Sequence, residues 1–300
     1  MNRRNIGRDP ELTFRMFLTM FLLAVVYMAF MAVLWAAGAS FIVIIFLAAI
    51  MLGVQYYFSD KMVLWAMHAK IVTEEQQPWL HATVERLATM AGLPKPKIAV
   101  AEMDIPNAFA TGRNPQNSVV AVTTGIMRQL PPEELEGVLA HELSHVRNRD
   151  VTVITMASFF ATVASLIMQN FFYMSMFGGH GRRDRDNGGA LMLVFLASIL
   201  VYIISFFLIR ALSRYREYAA DRSGAILTGH PEHLSSALMR ISGKMQAIPS
   251  EDMRRVEQMN AFFIIPALKG ASFAELTSTH PSLENRLKRL ETLQNQLEGR

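Results

Sequence analysis

Residues 131–150 read PPEELEGVLAHELSHVRNRD, and both ends of this stretch follow helix rules. Pro131-Pro132 stands where a missing backbone N–H costs nothing. Glu133 and Glu134 complement the positive end of the helix dipole in the first turn, and Arg147 and Arg149 the negative end in the last. Leu135, Val138, Leu139, Leu143 and Val146 supply the apolar stripe that such a helix buries. Upstream, PWLHATVERLATMAGL from Pro78 predicts a second helix, closed by Gly92 and the Pro94/Pro96 pair. Between the two, IAVAEM (98–103), NAFAT (107–111) and SVVAVTT (118–124) are short β-branched or alternating segments parted by Asn, Pro and Gly, and they predict a small antiparallel sheet. Far downstream, Leu283, Leu287, Leu290, Leu293 and Leu297 recur at helical spacing. Gln294 falls where a strict heptad needs an apolar residue, so this last helix is expected to pack on the domain and not to form a coiled coil.

The rest of the chain lives in another solvent. Lys and Arg total 29 against 25 Asp and Glu, a net +4, yet charged residues make up only 18% and the mean hydropathy is +0.24. No Asp, Glu, Lys or Arg occurs between Arg15 and Asp60, between Asp150 and Arg182, or between Asp186 and Arg210. This excludes a disordered chain, a collagen-like fibre and a simple soluble monomer. Runs 16–37 and 41–58, joined by Gly38-Ala39-Ser40, read as a transmembrane hairpin, since about 20 apolar residues cross a bilayer. The first run is too long for a signal-peptide core and is followed at once by another. Runs 151–177 and 190–209, joined by GGHGRRDRDNGG, form a second hydrophobic hairpin. Gln169 and Asn170 leave open whether it crosses the bilayer or is partly re-entrant. Trp35, Trp65, Tyr56, Tyr57, Tyr202 and Tyr215 lie near run ends, as an interfacial belt would place them.

The expected organisation is thus a transmembrane hairpin at 1–58, the first part of a soluble domain at 59–150, the second hairpin at 151–209 and the second part of that domain at 210–300. Four spans put both soluble parts on one side. Arg3, Arg4, Arg8 and Arg15 before the first run, and Arg210, Arg214 and Arg216 after the fourth, make that side cytoplasmic by the positive-inside rule. Arg182, Arg183 and Arg185 in the second hairpin loop point the other way. The fold class is α+β, mostly α-helical: a multi-pass membrane protein with about four hydrophobic helices and a cytosolic domain holding a small β-sheet.

The chemistry sits at His141-Glu142-Leu143-Ser144-His145, an H-E-x-x-H on the predicted helix. Histidines at i and i+4 project from one face, so their ring nitrogens can converge on one Zn²⁺ at about 2.0–2.1 Å. Glu142 lies about 100° round the helix from His141, beside such a metal and not on it. There a carboxylate can take a proton from water and pass it to a leaving amine. With no cysteine in the chain, thiolate ligands, disulfides and cysteine nucleophiles are excluded. A third ligand is needed, and Asn148 and Val151 stand where an H-E-x-x-H-x-x-G-x-x-H pattern would put Gly and His. Glu217, in SRYREYAAD (213–221) just beyond the fourth run, is the leading candidate, although by residue type alone it fits a solvated helix face.

HELSHVRNRD, then an apolar hairpin, then SRYREYAAD and finally THPSLENRL resemble the HtpX family of membrane zinc metalloproteases, gluzincins related to the prenyl-protein CAAX endopeptidases. The likeness runs nearly end to end, without a departure at a motif position. It implies a zincin-like metalloprotease domain with one zinc per chain, held by His141, His145 and Glu217, with Glu142 as catalytic base. Asp221 would orient a ligand histidine, and His280 and Arg286, in T-H-P-x-x-x-x-R, would stabilise the oxyanion. It further implies cleavage of misfolded or damaged membrane proteins at the cytosolic face of the bacterial inner membrane, as part of protein quality control and the stress response, alongside other membrane proteases. Both ligand helices abut apolar runs, so the zinc is expected on the order of 10 Å from the bilayer boundary if those helices are continuous. Peptide is expected to pair with an edge strand from 107–124. A CAAX-type processing protease with a narrow substrate fits less well, since the seven spans of those relatives are absent. A non-catalytic, zinc-stabilised membrane adaptor has no use for Glu142. No nucleic-acid motif appears, and the positive charge sits mainly at membrane flanks.

Overall fold

The protein is described by a computed structural model covering residues 9–37, 42–177, 188–247, Ile264 and 278–299. The Gly38-Ala39-Ser40 link and the arginine-bearing loop around 182–186 lie outside them. Helix α1 (Pro10–Ala36) starts behind Asp9, whose carboxylate accepts the Leu12 N–H at 2.9 Å. α2 (Ile42–Tyr57) and α3 (Ser59–Ala66) meet at a bend of 67°. α7 (Asp150–Phe177) and α8 (Gly188–Thr228) carry the third and fourth apolar runs. Three helices, Pro10–Ala36, Asp150–Tyr173 and Gly189–Thr228, are long and apolar enough to cross a membrane, and the bent α2–α3 pair makes a fourth if it is one span. Leu23 and Phe30 of α1, Ala48 of α2, Ala164 of α7 and Val201 of α8 are buried in one apolar cluster. Inside it the Tyr27 hydroxyl is satisfied by donating to the Ala157 carbonyl. Phe17, Phe46, Met156 and Leu200 point outward, as lipid-facing side chains do.

The fourth run does not stop where its apolar residues stop. α8 continues unbroken for 41 residues, on the order of 60 Å, about twice the hydrocarbon thickness. Its apolar half, 190–209, is therefore one rod with the half that carries Glu217 and Asp221. The other expected continuous connection is broken: α6 (Pro132–Asn148) ends at Arg149, whose left-handed φ of 54° turns the chain before α7 restarts at Asp150. Between the membrane helices lie β1 (Ala69–Ile71), α4 (Pro78–Ala91), β2 (Lys97–Ala101), β3 (Ala108–Thr111), β4 (Val119–Thr123) and α5 (Thr124–Gln129). Gly92 closes α4 at φ 69°, as its sequence requires.

The sheet order is β1-β2-β4-β3, and it is mixed, not antiparallel as expected. β2 and β4 run parallel, with Ala99 opposite Ala121, while β1 and β3 are antiparallel edges. The reason is the connection: residues 102–118 are long enough for a crossover, which lets β4 slot between β2 and β3. β1, three residues with no alternating pattern, gave no strand signal. α6 packs against β3, α4, α8 and α9 (Pro231–Ala247), and α10 (Leu283–Glu298) closes on α9 and α8 through buried Leu290 and Leu293.

The approach of α8 to α6 depends on Gly224. A Cβ there would lie 2.8 Å from the His141 nitrogen and 3.0 Å from its Cα, both backbone atoms that cannot swing aside. Gly224→Val is expected to destabilise the protein by about 1–3 kcal/mol and to spread the two helices, measured as a lower unfolding midpoint and reduced zinc content in detergent.

Candidate metal centre

α6 and α8 cross so that His141, His145 and Glu217 face one point. Their ligand atoms all lie within 4.8 Å of one another. The two histidine Nε2 atoms are 3.1 Å apart, His145 Nε2 is 3.4 Å from Glu217 Oε1, and His141 Nε2 is 3.8 Å from Glu217 Oε2. Donors sharing one tetrahedral zinc at about 2.0–2.2 Å stand roughly 3.4 Å from each other, so the spacing fits. The ring orientations strengthen the fit. Asp221 Oδ1 lies 2.9 Å from His141 Nδ1, and Asp150 Oδ2 lies 2.7 Å from His145 Nδ1. Each Nδ1 thus faces a carboxylate, and each Nε2 faces the other histidine and Glu217, the side on which a metal would be held. Glu217 Oε2 is buried and makes no hydrogen bond. Two ring nitrogens and a carboxylate converging in this way are the donor set that a bound zinc would use.

Around the donors runs a ring of buried charge. Arg286, 1% exposed, grips Asp221 through Nε at 2.8 Å and Nη2 at 2.6 Å, while its Nη1 donates to the Ile264 carbonyl at 2.7 Å. His280 Nδ1 lies 3.1 Å from Glu217 Oε2. Burial alone would push the Asp221 and Glu217 carboxyls up. Arg286 and His141 hold Asp221 below its usual range, and His280, His145 and His141 hold Glu217 well below its own. Glu142 goes the other way: burial raises it, against His141, His145 and a backbone hydrogen bond from Ala110 on β3.

All seven expected site residues are therefore gathered at the α6–α8 crossing. His141, His145 and Glu217 converge, Glu142 is beside them, and Asp221 lies 2.9 Å from His141 Nδ1. Arg286 differs in detail from a side chain aimed at substrate, because its guanidinium is spent on Asp221 and a carbonyl. Two residues escaped the sequence reading. Asp150, the first residue of α7, holds His145, and Arg216 in turn pairs with Asp150 and donates to the Asn148 carbonyl at 2.8 Å. The only sequence signal was Asp150 closing the H-V-R-N-R-D string. Asp150→Asn is expected to weaken zinc affinity about 10–100-fold, the usual loss for a partner of a ligating histidine, read by competition with a chromogenic chelator.

Beside the donors, Ala110 to Asn114 and the α6–α7 corner at His145, Arg149 and Asp150 line a narrow groove. β3 has β4 on one side and no strand on the other among the described residues. The turn after β3 is tied to the membrane helices. Tyr56 of α2 donates to the Arg113 carbonyl at 2.7 Å, and the Arg113 guanidinium stacks 4.2 Å over Tyr57.

Comparison with known proteins agrees with this geometry. Residues 74–294 match the model of the family described as Peptidase family M48. The chain is 63% identical over 298 residues to a Protease HtpX homolog of Moorella thermoacetica, covering 99% of each. It is 55% identical to Protease HtpX homolog 2 of Methanosarcina acetivorans, covering 98% of this chain and 99% of that one. Among solved structures, S. mikatae Ste24p superposes with a TM-score of 0.57 at 19% identity, over 94% of this chain and 67% of that one, a likeness of fold.

Proposed function

The chain belongs to peptidase family M48, zinc-dependent membrane metalloproteases of the HtpX type, and from that premise we propose that it cuts misfolded or damaged membrane proteins at the cytoplasmic face of the membrane. The observation that carries the site assignment is the convergence of three lone-pair donors, two on the H-E-x-x-H helix and one on α8, with a buried carboxylate beside them. In this reading His141, His145 and Glu217 hold the zinc, which when bound supplies a Lewis acid that polarises the scissile carbonyl and makes water more acidic.

The remaining work falls to side chains of this chain. Glu142 takes the proton of the attacking water and returns it to the amine nitrogen as the C–N bond breaks. Its upward shift brings it nearer to working pH, which suits both halves of that transfer. His280, whose Nδ1 lies 3.1 Å from Glu217 Oε2, is the donor assigned to the developing oxyanion. Arg286 acts as a positioning residue: it fixes Asp221, and Asp221 fixes His141. The open edge of β3 takes substrate as an added strand, holding backbone without demanding particular side chains. The tie from Tyr56 to Arg113 supports keeping that edge near the bilayer, where extended segments of damaged membrane proteins emerge.

The cytoplasmic assignment rests on Arg15, Arg210 and Arg214 at the span ends. Because the chain has no cysteine, a single Lys95→Cys substitution provides a unique label site on the soluble domain. Impermeant maleimide is expected to label it in inside-out vesicles and not in right-side-out ones. A membrane reporter carrying an unfolded segment is expected to be cut only when that segment is cytoplasmic. Labelling and cutting from the outside would reverse the assignment.

A further inference from the structure

Next to the metal centre, the N-terminal turns of α1, the C-terminal half of α8 and the face of α10 enclose a cavity of about 640 Å³. Arg15, Arg214, Arg222, Lys288 and Arg289 line it, against three carboxylates, Asp9, Glu11 and Asp221. Asp221 is already held by Arg286 through two contacts and adds no free negative charge. Among the described lining residues five cations stand against three carboxylates; Glu11 is paired with Arg15 at 2.6 Å and Asp9 lies 3.5 Å from Arg289. Its floor is apolar, made by buried Leu290 and Leu293, with Tyr215 and Tyr218 on the wall.

The level of this cavity is fixed by the two spans beside it. Arg15 is the last charged residue before the apolar part of α1, and Arg210 the first after the apolar part of α8. Arg214 is four residues farther, about 6 Å along the axis, so the cavity begins where lipid headgroups lie. Orientation of the spans accounts for Arg15 and Arg214. It does not account for Lys288 and Arg289, which come from a C-terminal helix that crosses no membrane. Arg289 is also held in place, 4.4 Å over the Tyr218 ring and 3.5 Å from Asp9.

We propose that this cavity binds the phosphate group of an anionic phospholipid headgroup. Guanidinium groups pair bidentately with phosphate oxygens, and basic pockets at the cytoplasmic ends of spans are where such headgroups are held. The volume lies within the range of ordinary ligand sites, and the apolar floor suits the glycerol part. A headgroup seated there bridges α1, α8 and α10, and so braces the α8 segment that carries Glu217.

The test uses the full chain in neutral detergent and measures displacement of a fluorescent phosphatidylglycerol by unlabelled competitors. Phosphatidylglycerol is expected to displace it at least about tenfold better than phosphatidylcholine, and the preference should shrink as salt rises. The double variant Lys288→Gln/Arg289→Gln is expected to bind the probe about tenfold or more weakly, with unchanged zinc content and unfolding midpoint. Lys288→Arg/Arg289→Lys, which keeps both charges, should bind within a few-fold of the parent. Equal displacement by the two lipids, or a charge-removed variant that binds like the parent, would overturn the proposal. Displacement by millimolar inorganic phosphate as effectively as by the lipid would assign the cluster to free phosphate and overturn the lipid source.

Discussion

Glu142→Gln is expected to lower kcat for an unfolded protein substrate by about 10²–10⁴-fold, the range for losing a positioned general base, while the protein keeps its zinc. The amide has nearly the shape of the carboxylate and can still accept the hydrogen bond from Ala110, so α6 and β3 stay in register. What it loses is the capacity to take a proton. Because His141 and His145 take their orientation from Asp221 and Asp150, the donor cluster does not depend on Glu142. KM is expected to change little, since in the proposed function the peptide backbone pairs with the edge of β3. A variant that lost zinc together with activity would show that Glu142 is a ligand and not a base.

Glu217→Ala is expected to give the opposite split, losing metal and activity together. Removing one of three donors should cost more than the 10–100-fold seen when only a partner of a ligand is lost, so zinc affinity is expected to fall by more than about 100-fold. The change also leaves His280 beside a void and takes away the carboxylate that offsets Arg286, 3.8 Å away. Some loss of folding stability is therefore expected, and metal content has to be measured on the fraction that remains folded. Comparing the unfolding midpoint with and without added zinc separates the two effects. Zinc should raise the midpoint of the parent and leave that of the variant unmoved. An active, zinc-replete Glu217→Ala protein would remove Glu217 from the ligand set.

The contrast between these variants follows from how the site is assembled. The two proposed ligand histidines and the proposed base lie within five consecutive residues, so one helix fixes their mutual geometry and the sequence displays it. Glu217 is reached only after an apolar hairpin, and nothing in its immediate surroundings marks it as a ligand. Its identification rested on the S-R-x-x-E-x-x-A-D string, and its geometry on a helix crossing that no local pattern encodes. Asp150, Arg216 and Gly224 were missed for the same reason. Each acts across elements, and an Asp at a helix start, an Arg after a span and a Gly in a helix all have commonplace explanations. The membrane helices were legible because hydropathy and length suffice. The sheet was not, because strand direction depends on where a crossover returns. Arg149 hid as well, since nothing about an arginine predicts a left-handed φ.

The two halves of the site meet the apolar helices differently. α8 carries its apolar run and Glu217 and Asp221 on one unbroken helix. α6 and α7 are separate helices that meet at the left-handed Arg149, and α6 packs on β3 and α4.

The most direct measurement is zinc content and hydrolysis together. The detergent-purified chain would be given an unfolded test protein as isolated, after chelation, and after zinc is restored. One zinc per chain, cleavage abolished by chelation and recovered with zinc, and cleavage lowered by about 10²–10⁴-fold in zinc-replete Glu142→Gln is the expected result. Cleavage that persists without metal, or undiminished cleavage by the Glu142→Gln protein, would contradict the account.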